Sequence, residues 1–185
     1  MLNKIGIKND LQSNNKIVKF DYENYIDACY IIANDIKKKF ELEKEKIEIV
    51  GLARGGLPML VTLSHLLGIR EISMIQTKMS NSDNCHDYGE FRFISDNLND
   101  DKGKCILFED IIYKGTTTNG VVDLLKKRNK KVVSVYSLII DKGFKKITLT
   151  NKDLNINYVF EITEDDWVYF FWETDIRKIG DDYNE

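Results

Sequence analysis

Apolar residues recur at helical spacing in three stretches of the chain. Residues 22–40 carry an apolar position every three or four residues, so they predict an amphipathic helix that Asp21 caps. Residues 60–67 predict a second helix, which Gly68 ends, and residues 116–128 predict a third. We therefore expect three helices, each of which buries one face.

Short apolar runs lie between these helices and predict strands. They cover residues 47–52, 69–77, 104–109, 131–140 and 159–162. Two weaker runs predict a short edge strand at 17–20 and a short ribbon at 90–94. Because strands and helices alternate, the pattern predicts an α/β fold, with a parallel twisted sheet and helices on both faces.

The composition indicates one ordinary globular domain of 185 residues, with a net charge of −3 and no internal repeat. The sequence shows no basic face, no apolar run of membrane-spanning length and no signal peptide. We therefore expect a cytoplasmic protein with no nucleic-acid or membrane partner.

The three cysteines fit a reducing compartment. Cys29 and Cys105 lie in apolar patterns and are expected in the core, while Cys85 adjoins His86 in a polar stretch. A nucleophile pair or a metal site would use these two residue types, but a bystander pair in a loop fits the context better.

Candidate chemistry is concentrated in residues 105–118. A buried strand there ends in Glu109 and Asp110, and after a short turn a helix begins with one glycine and three threonines. Carboxylates suit sugar hydroxyls or Mg²⁺, and the N–H groups of a helix N-terminus suit a phosphate. A sugar phosphate would satisfy both halves. The competing interpretation is two solvated acids followed by threonines that only cap the helix.

A second glycine-bearing turn, residues 54–57, follows the strand at 47–52. Ligands of open parallel sheets bind beyond the carboxyl ends of the strands, and both turns fall at that edge. Two such turns at one edge favour the functional interpretation. The polar segment 78–103 is long for a loop of a compact domain, and loops of that length are often functional.

Residues 106–117 resemble the phosphoribosyl pyrophosphate motif of type I phosphoribosyltransferases, which joins a hydrophobic strand, an acid pair and a glycine-threonine phosphate loop. Further segments are similar to bacterial xanthine-guanine phosphoribosyltransferases, at residues 54–57, 67–70 and 162–168. The resemblance covers residues 47–175. It implies the type I phosphoribosyltransferase fold, with a core at 47–140, a flexible loop at 78–103 and a small C-terminal hood at 143–175.

The resemblance also implies a role for each matching residue. Glu109 and Asp110 would bind the ribose hydroxyls, with Asp110 also near Mg²⁺. Arg54 and the Gly55 amide would hold pyrophosphate. The 5′-phosphate would lie against the turn formed by Lys114, Gly115, Thr116, Thr117 and Thr118.

Base recognition would come from the aromatic C-terminal segment. Trp167 would stack on a flat base, and the Val168 backbone would contact the base edge. The alternative for Trp167 is a core position among the many aromatic residues around it. Relatives in the family are dimers or tetramers, so the resemblance implies a homodimer or a homotetramer.

The chain departs from the family in two places. Tyr113 stands where the family has the Asp that acts on the purine N7 proton, and Lys114 replaces the adjacent Thr. Neutral tyrosine, with a reference pKa of about 10, is a poor base at pH 7. Leu138 falls near the lysine that faces the purine 6-oxo group in relatives, and Lys142 lies four residues on.

The sequence therefore predicts an Mg²⁺-dependent enzyme that moves ribose 5-phosphate from phosphoribosyl pyrophosphate to a nucleobase, purine-like bases favoured, with release of pyrophosphate. Glu109, Asp110 and Tyr113 are the candidate catalytic residues. Tyr113 leaves three alternatives for the acceptor. It reacts without a base, it is deprotonated by another group such as Asp166 or His86, or it is a molecule other than a 6-oxopurine that Tyr113 and Lys114 bind. The alternatives are a regulatory protein that binds phosphoribosyl pyrophosphate or a nucleotide without turnover, and a plain interaction domain.

Overall fold

The computed structural model describes residues 1–6, 13–14, 17–78, 91–101, 103–142, 154–162 and 167–173. The elements follow in the order β1 (Leu2–Lys4), β2 (Ser13–Asn14), β3 (Ile17–Phe20), α1 (Tyr22–Lys39), β4 (Ile47–Ala53), α2 (Gly56–Leu67), β5 (Ser73–Lys78), β6 (Arg92–Asp96), β7 (Lys104–Ile112), α3 (Thr116–Lys127), β8 (Lys131–Asp141), β9 (Ile156–Ile162) and β10 (Trp167–Phe170). The predicted loop at 78–103 and hood at 143–175 are described only in part.

The main sheet has seven strands in the order β1-β9-β8-β7-β4-β5-β6. Its neighbouring strands are parallel except for β6, which pairs antiparallel with β5. The ribbon predicted at 90–94 is this antiparallel pair, with the strand at Arg92–Asp96. Parallel strands need crossover helices, which explains the alternation seen in the sequence.

The helices cover both faces of the main sheet, as predicted. Ile49 on β4 belongs to the hydrophobic cluster that contains α1 and α2, whereas the next residue, Val50, belongs to the cluster that contains α3. Ile106 and Leu107 on β7 divide in the same way. This alternation is the two-residue period of a strand that is buried on both faces.

A second, three-stranded sheet has the order β10-β3-β2. Its middle strand is β3, which pairs parallel with β10 and antiparallel with β2. The prediction that residues 17–20 form an edge strand is therefore wrong. The reason is the pairing with β10, which covers the second edge of β3, while Val18 and Phe20 are fully buried in the cluster below α1.

The helix boundaries follow the predicted capping residues. Asp21 caps α1 by accepting a hydrogen bond from the Asn24 N–H at 2.8 Å. Gly68 ends α2 in the left-handed conformation, with a φ of 72°. Ile69 then donates to the Ser64 carbonyl, so this residue still belongs to the helix end and β5 begins later than the predicted 69.

The strand that carries the acid pair is longer than predicted. β7 continues to Ile112, because Ile111 and Ile112 pair with Ile139 and Ile140 on β8. The predicted end of the strand at 109 is therefore wrong, and the two acids lie within the strand. Their backbone is thus held by the sheet and not by a loop.

A buried charged cluster lies at the opposite end of the strands, where β4 and β8 begin. Glu48 is 2% exposed, and its Oε2 lies 2.8 Å from Lys130 Nζ. Its Oε1 accepts hydrogen bonds from the Ser73 hydroxyl and from the Asn99 N–H. The Lys130 ammonium also donates to the Asn99 carbonyl. The Glu48 cluster joins β4, β5, the segment before β7 that contains Asn99, and Lys130 directly before β8.

Cys29 and Cys105 are buried free thiols, as predicted. Cys85 and His86 lie outside the described residues. Within the ranges that the structure describes, none of the helices combines the length and the apolar character needed to cross a membrane.

Candidate functional site

The acid pair lies near the carboxyl end of β7, next to the end of β4. Glu109 is 8% exposed, and Asp110 is half-buried. Burial raises the pKa of Glu109 to about 8, and the negative charge of Asp110 adds to this effect. Burial also raises the pKa of Asp110 to about 6, against the effect of hydrogen bonds from backbone N–H groups. A cation beside these carboxyl groups would be stabilised by both.

The connection from β7 to α3 turns at Gly115. This residue has a φ of 79°, in the left-handed region that glycine adopts without strain. Three residues later, the fully buried Thr118 hydroxyl donates a hydrogen bond to Glu109 Oε2 at 2.6 Å. The first turn of α3 is therefore tied to the acid pair.

The helices that begin at this edge of the sheet lack side-chain caps. Asp21 caps α1, but within the described part of the chain no side chain caps α2 at Gly55 or α3 at Gly115. At the start of α3, Thr116 is exposed and Thr117 is half-buried. An uncapped helix N-terminus presents N–H groups and a positive dipole end, which together bind a phosphate.

The turn between β4 and α2 lies directly against the acid pair. A Cβ atom on Gly55 would stand 1.8 Å from Asp110 Oδ2, and a Cβ atom on Gly56 would stand 2.5 Å from the Phe108 carbonyl oxygen. Both distances are far shorter than a van der Waals contact, so only glycine lets the turn approach β7 this closely. The turn between β4 and α2 is thus packed against the strand that leads into the second turn.

Cationic side chains border this edge. Arg54 is exposed at the start of the turn after β4, and the peptide bond between Ala53 and Arg54 is cis. Lys114 is half-buried in the turn before α3. The site therefore combines carboxyl groups, cationic side chains and helix N-termini, which is the set that a sugar carrying several phosphate groups requires.

The residues at which the chain departs from the family have different surroundings in the structure. Tyr113 is half-buried and packs against the core beneath α1 and α2. Leu138 is fully buried in the same core. Lys142 Nζ lies 2.7 Å from Glu161 Oε1 on β9, so this ammonium group is held by a carboxylate of the neighbouring strand.

The segment after β10 brings a further carboxyl group near Asp110. After burial, the negative charge of Glu173 also raises the pKa of Asp110. Glu173 closes the turn after β10, since its N–H donates to the Phe170 carbonyl at 2.9 Å. The Val168 side chain is buried in the core, and the Trp167 backbone begins β10, whereas the Trp167 side chain lies outside the described residues.

Sequence reasoning missed two features of this site. Thr118 was grouped with the phosphate ligands, although its hydroxyl contacts Glu109; a threonine one turn into a helix that follows an acid-bearing strand was the available signal. Nothing in the sequence indicated Glu173, because its place near Asp110 depends on how β10 pairs with β3.

A magnesium ion would need ligands beyond the protein. Among the described residues, no group of three His, Cys, Asp or Glu side chains has the arrangement of a metal site. Mg²⁺ commonly takes only one or two carboxylates and completes its octahedron with water and substrate phosphate oxygens. The half-buried Asp110 carboxylate fits that partial role.

Comparison with known proteins gives a consistent result. The sequence model of the family described as "Phosphoribosyl transferase domain" matches residues 21–178. A hypoxanthine phosphoribosyltransferase of Buchnera aphidicola subsp. Schizaphis graminum is 28% identical over 129 residues, which make up 69% of this chain and 70% of that protein.

Two solved structures share the fold. A purine phosphoribosyltransferase from Pyrococcus horikoshii has a TM-score of 0.64 and 24% identity, over 86% of this chain and 95% of that one. The Helicobacter pylori xanthine-guanine-hypoxanthine phosphoribosyltransferase has a TM-score of 0.63 and 17% identity, over 89% of this chain and 99% of that one. The predicted fold and family are thus confirmed, and the chain belongs to the phosphoribosyl transferase domain family.

Proposed function

We propose that this protein transfers ribose 5-phosphate from phosphoribosyl pyrophosphate to a purine-like base and releases pyrophosphate. The observation that carries the proposal is the contact between Gly55 and Asp110, which joins two uncapped helix N-termini to one acid pair. The donor molecule has the matching order of groups: phosphate, sugar hydroxyls and pyrophosphate.

The 5′-phosphate binds at the start of α3. Gly115, Thr116 and Thr117 offer backbone N–H groups and hydroxyls, and Lys114 adds a positive charge. Thr118 is assigned a different role from the one expected from the sequence. Because its buried hydroxyl donates to Glu109, we assign it to positioning that carboxyl group.

Pyrophosphate binds at the turn between β4 and α2. The Arg54 guanidinium provides donors in a planar fork, and the Gly55 amide lies where the backbone can approach an anion closely. Glu109 and Asp110 then face the ribose hydroxyls between the two phosphate sites. Asp110 would hold Mg²⁺, which when bound offsets the charge of the pyrophosphate group.

The chemistry follows from where charge develops. As the bond from the anomeric carbon to pyrophosphate lengthens, the sugar gains positive charge and the leaving group gains negative charge. The carboxyl groups of Glu109 and Asp110 favour the first, and Arg54 and the α2 N-terminus favour the second. Trp167 stacking on the base, contact of the Val168 backbone with its edge, and closure of residues 78–103 over the reaction remain predictions.

The direct test measures pyrophosphate release from phosphoribosyl pyrophosphate and Mg²⁺ with hypoxanthine, guanine, xanthine, adenine and uracil. Release with a purine supports the proposal, and Asp110→Asn should lower kcat/KM by about 10²–10³-fold. Asp123→Asn is the matched control, because Asp123 is exposed on the helix that follows the site. Wild-type protein that releases no pyrophosphate with any base would contradict the proposal.

The Tyr113→Asp variant distinguishes the enzyme from the regulatory alternative. If purine transfer appears only in this variant while the wild type binds phosphoribosyl pyrophosphate, the natural protein is a binding protein without turnover. Binding is measured independently, as the rise in melting temperature with Mg²⁺ and phosphoribosyl pyrophosphate.

A further inference from the structure

We propose that Tyr25 is a positioning residue. It couples the start of α2, next to the proposed pyrophosphate site at Arg54 and Gly55, to the C-terminal segment that follows β10. This inference rests on the proposed transfer reaction, and it concerns a residue of α1 that touches neither acid. Tyr25 is 3% exposed and lies on the buried face of α1, with Ala28, Cys29 and Ile32.

The hydroxyl end of Tyr25 holds the first turn of α2. It donates a hydrogen bond to the Pro58 carbonyl oxygen at 2.7 Å and also contacts the Thr62 hydroxyl. The Leu57 N–H in the same turn donates to the Arg54 carbonyl at 3.1 Å. The Tyr25 hydroxyl therefore fixes the helix start on which the proposed pyrophosphate ligands depend.

The ring of Tyr25 holds the C-terminal segment. Its centroid lies 5.2 Å from that of Phe171 and 5.5 Å from that of Trp172. These two residues immediately precede Glu173, whose charge acts on Asp110. One side chain thus contacts the first turns of α2 with its hydroxyl and the C-terminal segment with its ring.

The two contacts have different chemistry and can be separated. Tyr25→Phe removes the hydrogen bond to Pro58 and the contact with the Thr62 hydroxyl, and it keeps the ring against Phe171 and Trp172. A single hydrogen bond contributes about 0.5–1.5 kcal/mol, so its loss corresponds to roughly a fivefold change in an equilibrium constant. A displaced α2 start weakens binding of pyrophosphate both as a free anion and within the substrate.

A matched control exists on the same face of the sheet. Tyr136 is fully buried, and its hydroxyl donates to Asp35 Oδ2 on α1 at 2.7 Å. Tyr136→Phe therefore removes the same hydroxyl group at similar burial. The hydrogen bond that it removes also involves a residue of α1. It lies away from the α2 start, and Asp35 keeps its ion pair with Lys39.

The experiment compares wild type, Tyr25→Phe and Tyr136→Phe. The Kd of Mg²⁺-pyrophosphate is measured by calorimetry, and the KM of phosphoribosyl pyrophosphate and of the preferred purine by pyrophosphate release. Tyr25→Phe should raise the pyrophosphate Kd and both KM values roughly fivefold, with kcat within about twofold. Tyr136→Phe should lower stability similarly in urea and leave the three constants unchanged.

Phe171→Ala tests the other contact and serves if Tyr25→Phe does not fold. Phe171 is 45% exposed, so its truncation is tolerated more easily than a core change. It should raise the purine KM and, through Tyr25, the Kd of Mg²⁺-pyrophosphate. The proposal is overturned if Tyr25→Phe behaves as Tyr136→Phe does, or if Phe171→Ala leaves the pyrophosphate Kd unchanged. If the wild type has no transfer activity, the proposed function is wrong. That result is obtained before any variant is compared, so the two failures can be distinguished.

Discussion

Glu48 and Glu109 are buried glutamates on neighbouring strands, and their surroundings differ in kind. Glu48 lies near the start of β4 and meets a lysine ammonium, a serine hydroxyl and a backbone N–H. Glu109 lies near the end of β7, where it accepts a hydrogen bond from the Thr118 hydroxyl and adjoins a second carboxyl group. The two residues are almost equally buried, at 2% and 8% exposure.

The difference lies in how each negative charge is balanced. The Glu48 charge is balanced inside the fold, so it needs nothing from solution. Within the described part of the chain, the acid pair forms no ion pair, and its pKa values are raised in consequence of burial. A fold keeps such a costly arrangement where a ligand supplies the missing positive charge or hydrogen-bond donors.

The largest effect is expected at the Glu48 cluster. Lys130→Met leaves the Glu48 charge buried without its ammonium partner, so the free energy of unfolding should fall by about 3–5 kcal/mol in urea titration. The double variant Glu48→Met/Lys130→Met should recover most of this loss, because no buried charge remains. A loss below about 1 kcal/mol for Lys130→Met would show that the charge is not structural.

Gly55→Ala should weaken ligand binding rather than lower the free energy of unfolding. The new Cβ would stand 1.8 Å from Asp110 Oδ2, so the carboxylate and the turn must move apart. We expect about 100-fold weaker binding of phosphoribosyl pyrophosphate with Mg²⁺, measured by calorimetry, since displacement of site groups by about 1 Å has effects of this size.

Gly68→Ala is the control for this change. Its Cβ would meet nothing within 4 Å, but its φ of 72° strains an alanine. This variant should lose about 1 kcal/mol of stability and keep its affinity for the ligand. Equal affinity in Gly55→Ala and wild type would contradict the site geometry.

The acid pair should make the protein less stable as pH rises. The Glu109 pKa is raised from 4.5 to about 8, so between these values the native state binds more protons than the unfolded state. The free energy of unfolding therefore falls with increasing pH across this window. Urea titrations at several pH values measure the slope.

Glu109→Gln should remove most of that slope, because a glutamine does not titrate. Glu41→Gln is the control, since Glu41 is 67% exposed and pairs only with Lys44 in the described structure. An unchanged slope in Glu109→Gln would mean that another group carries the pH dependence.

Thr118→Val should have the smallest effect. It removes the hydrogen bond to Glu109 Oε2 and keeps the side-chain volume, so we expect a loss of about 1 kcal/mol at neutral pH. The same change should raise the pKa of Glu109 further, because the hydroxyl favours the charged carboxylate. Thr117→Val, at a half-buried position of the same turn, should instead weaken substrate binding without that loss of stability.

The fold followed from the sequence where its cause is local. Helical spacing and caps located α1, and the alternation of elements implied the parallel sheet, because both depend on neighbouring residues. The central position of β3 did not follow, since it results from pairing with β10, about as far along the chain as two elements can lie.

Part of the candidate site could be predicted from the sequence, for the same reason. Gly115 and the two acids lie within one strand-turn-helix unit, so their order alone indicated an anion site beside carboxyl groups. The extension of β7 to Ile112 depends on pairing with β8, and the approach of Glu173 depends on the small sheet. Contacts between distant segments leave no pattern in a single sequence.

The pairing of β3 with β10 has a consequence for any shortened version of the protein. The family match begins at residue 21, but β3 spans Ile17–Phe20 and runs parallel to the whole of Trp167–Phe170. A fragment trimmed to the matched span would leave those four backbone positions with an open edge, which favours fraying or pairing between molecules. The amino-terminal residues before the matched domain are thus the support on which its C-terminal strand β10 is assembled.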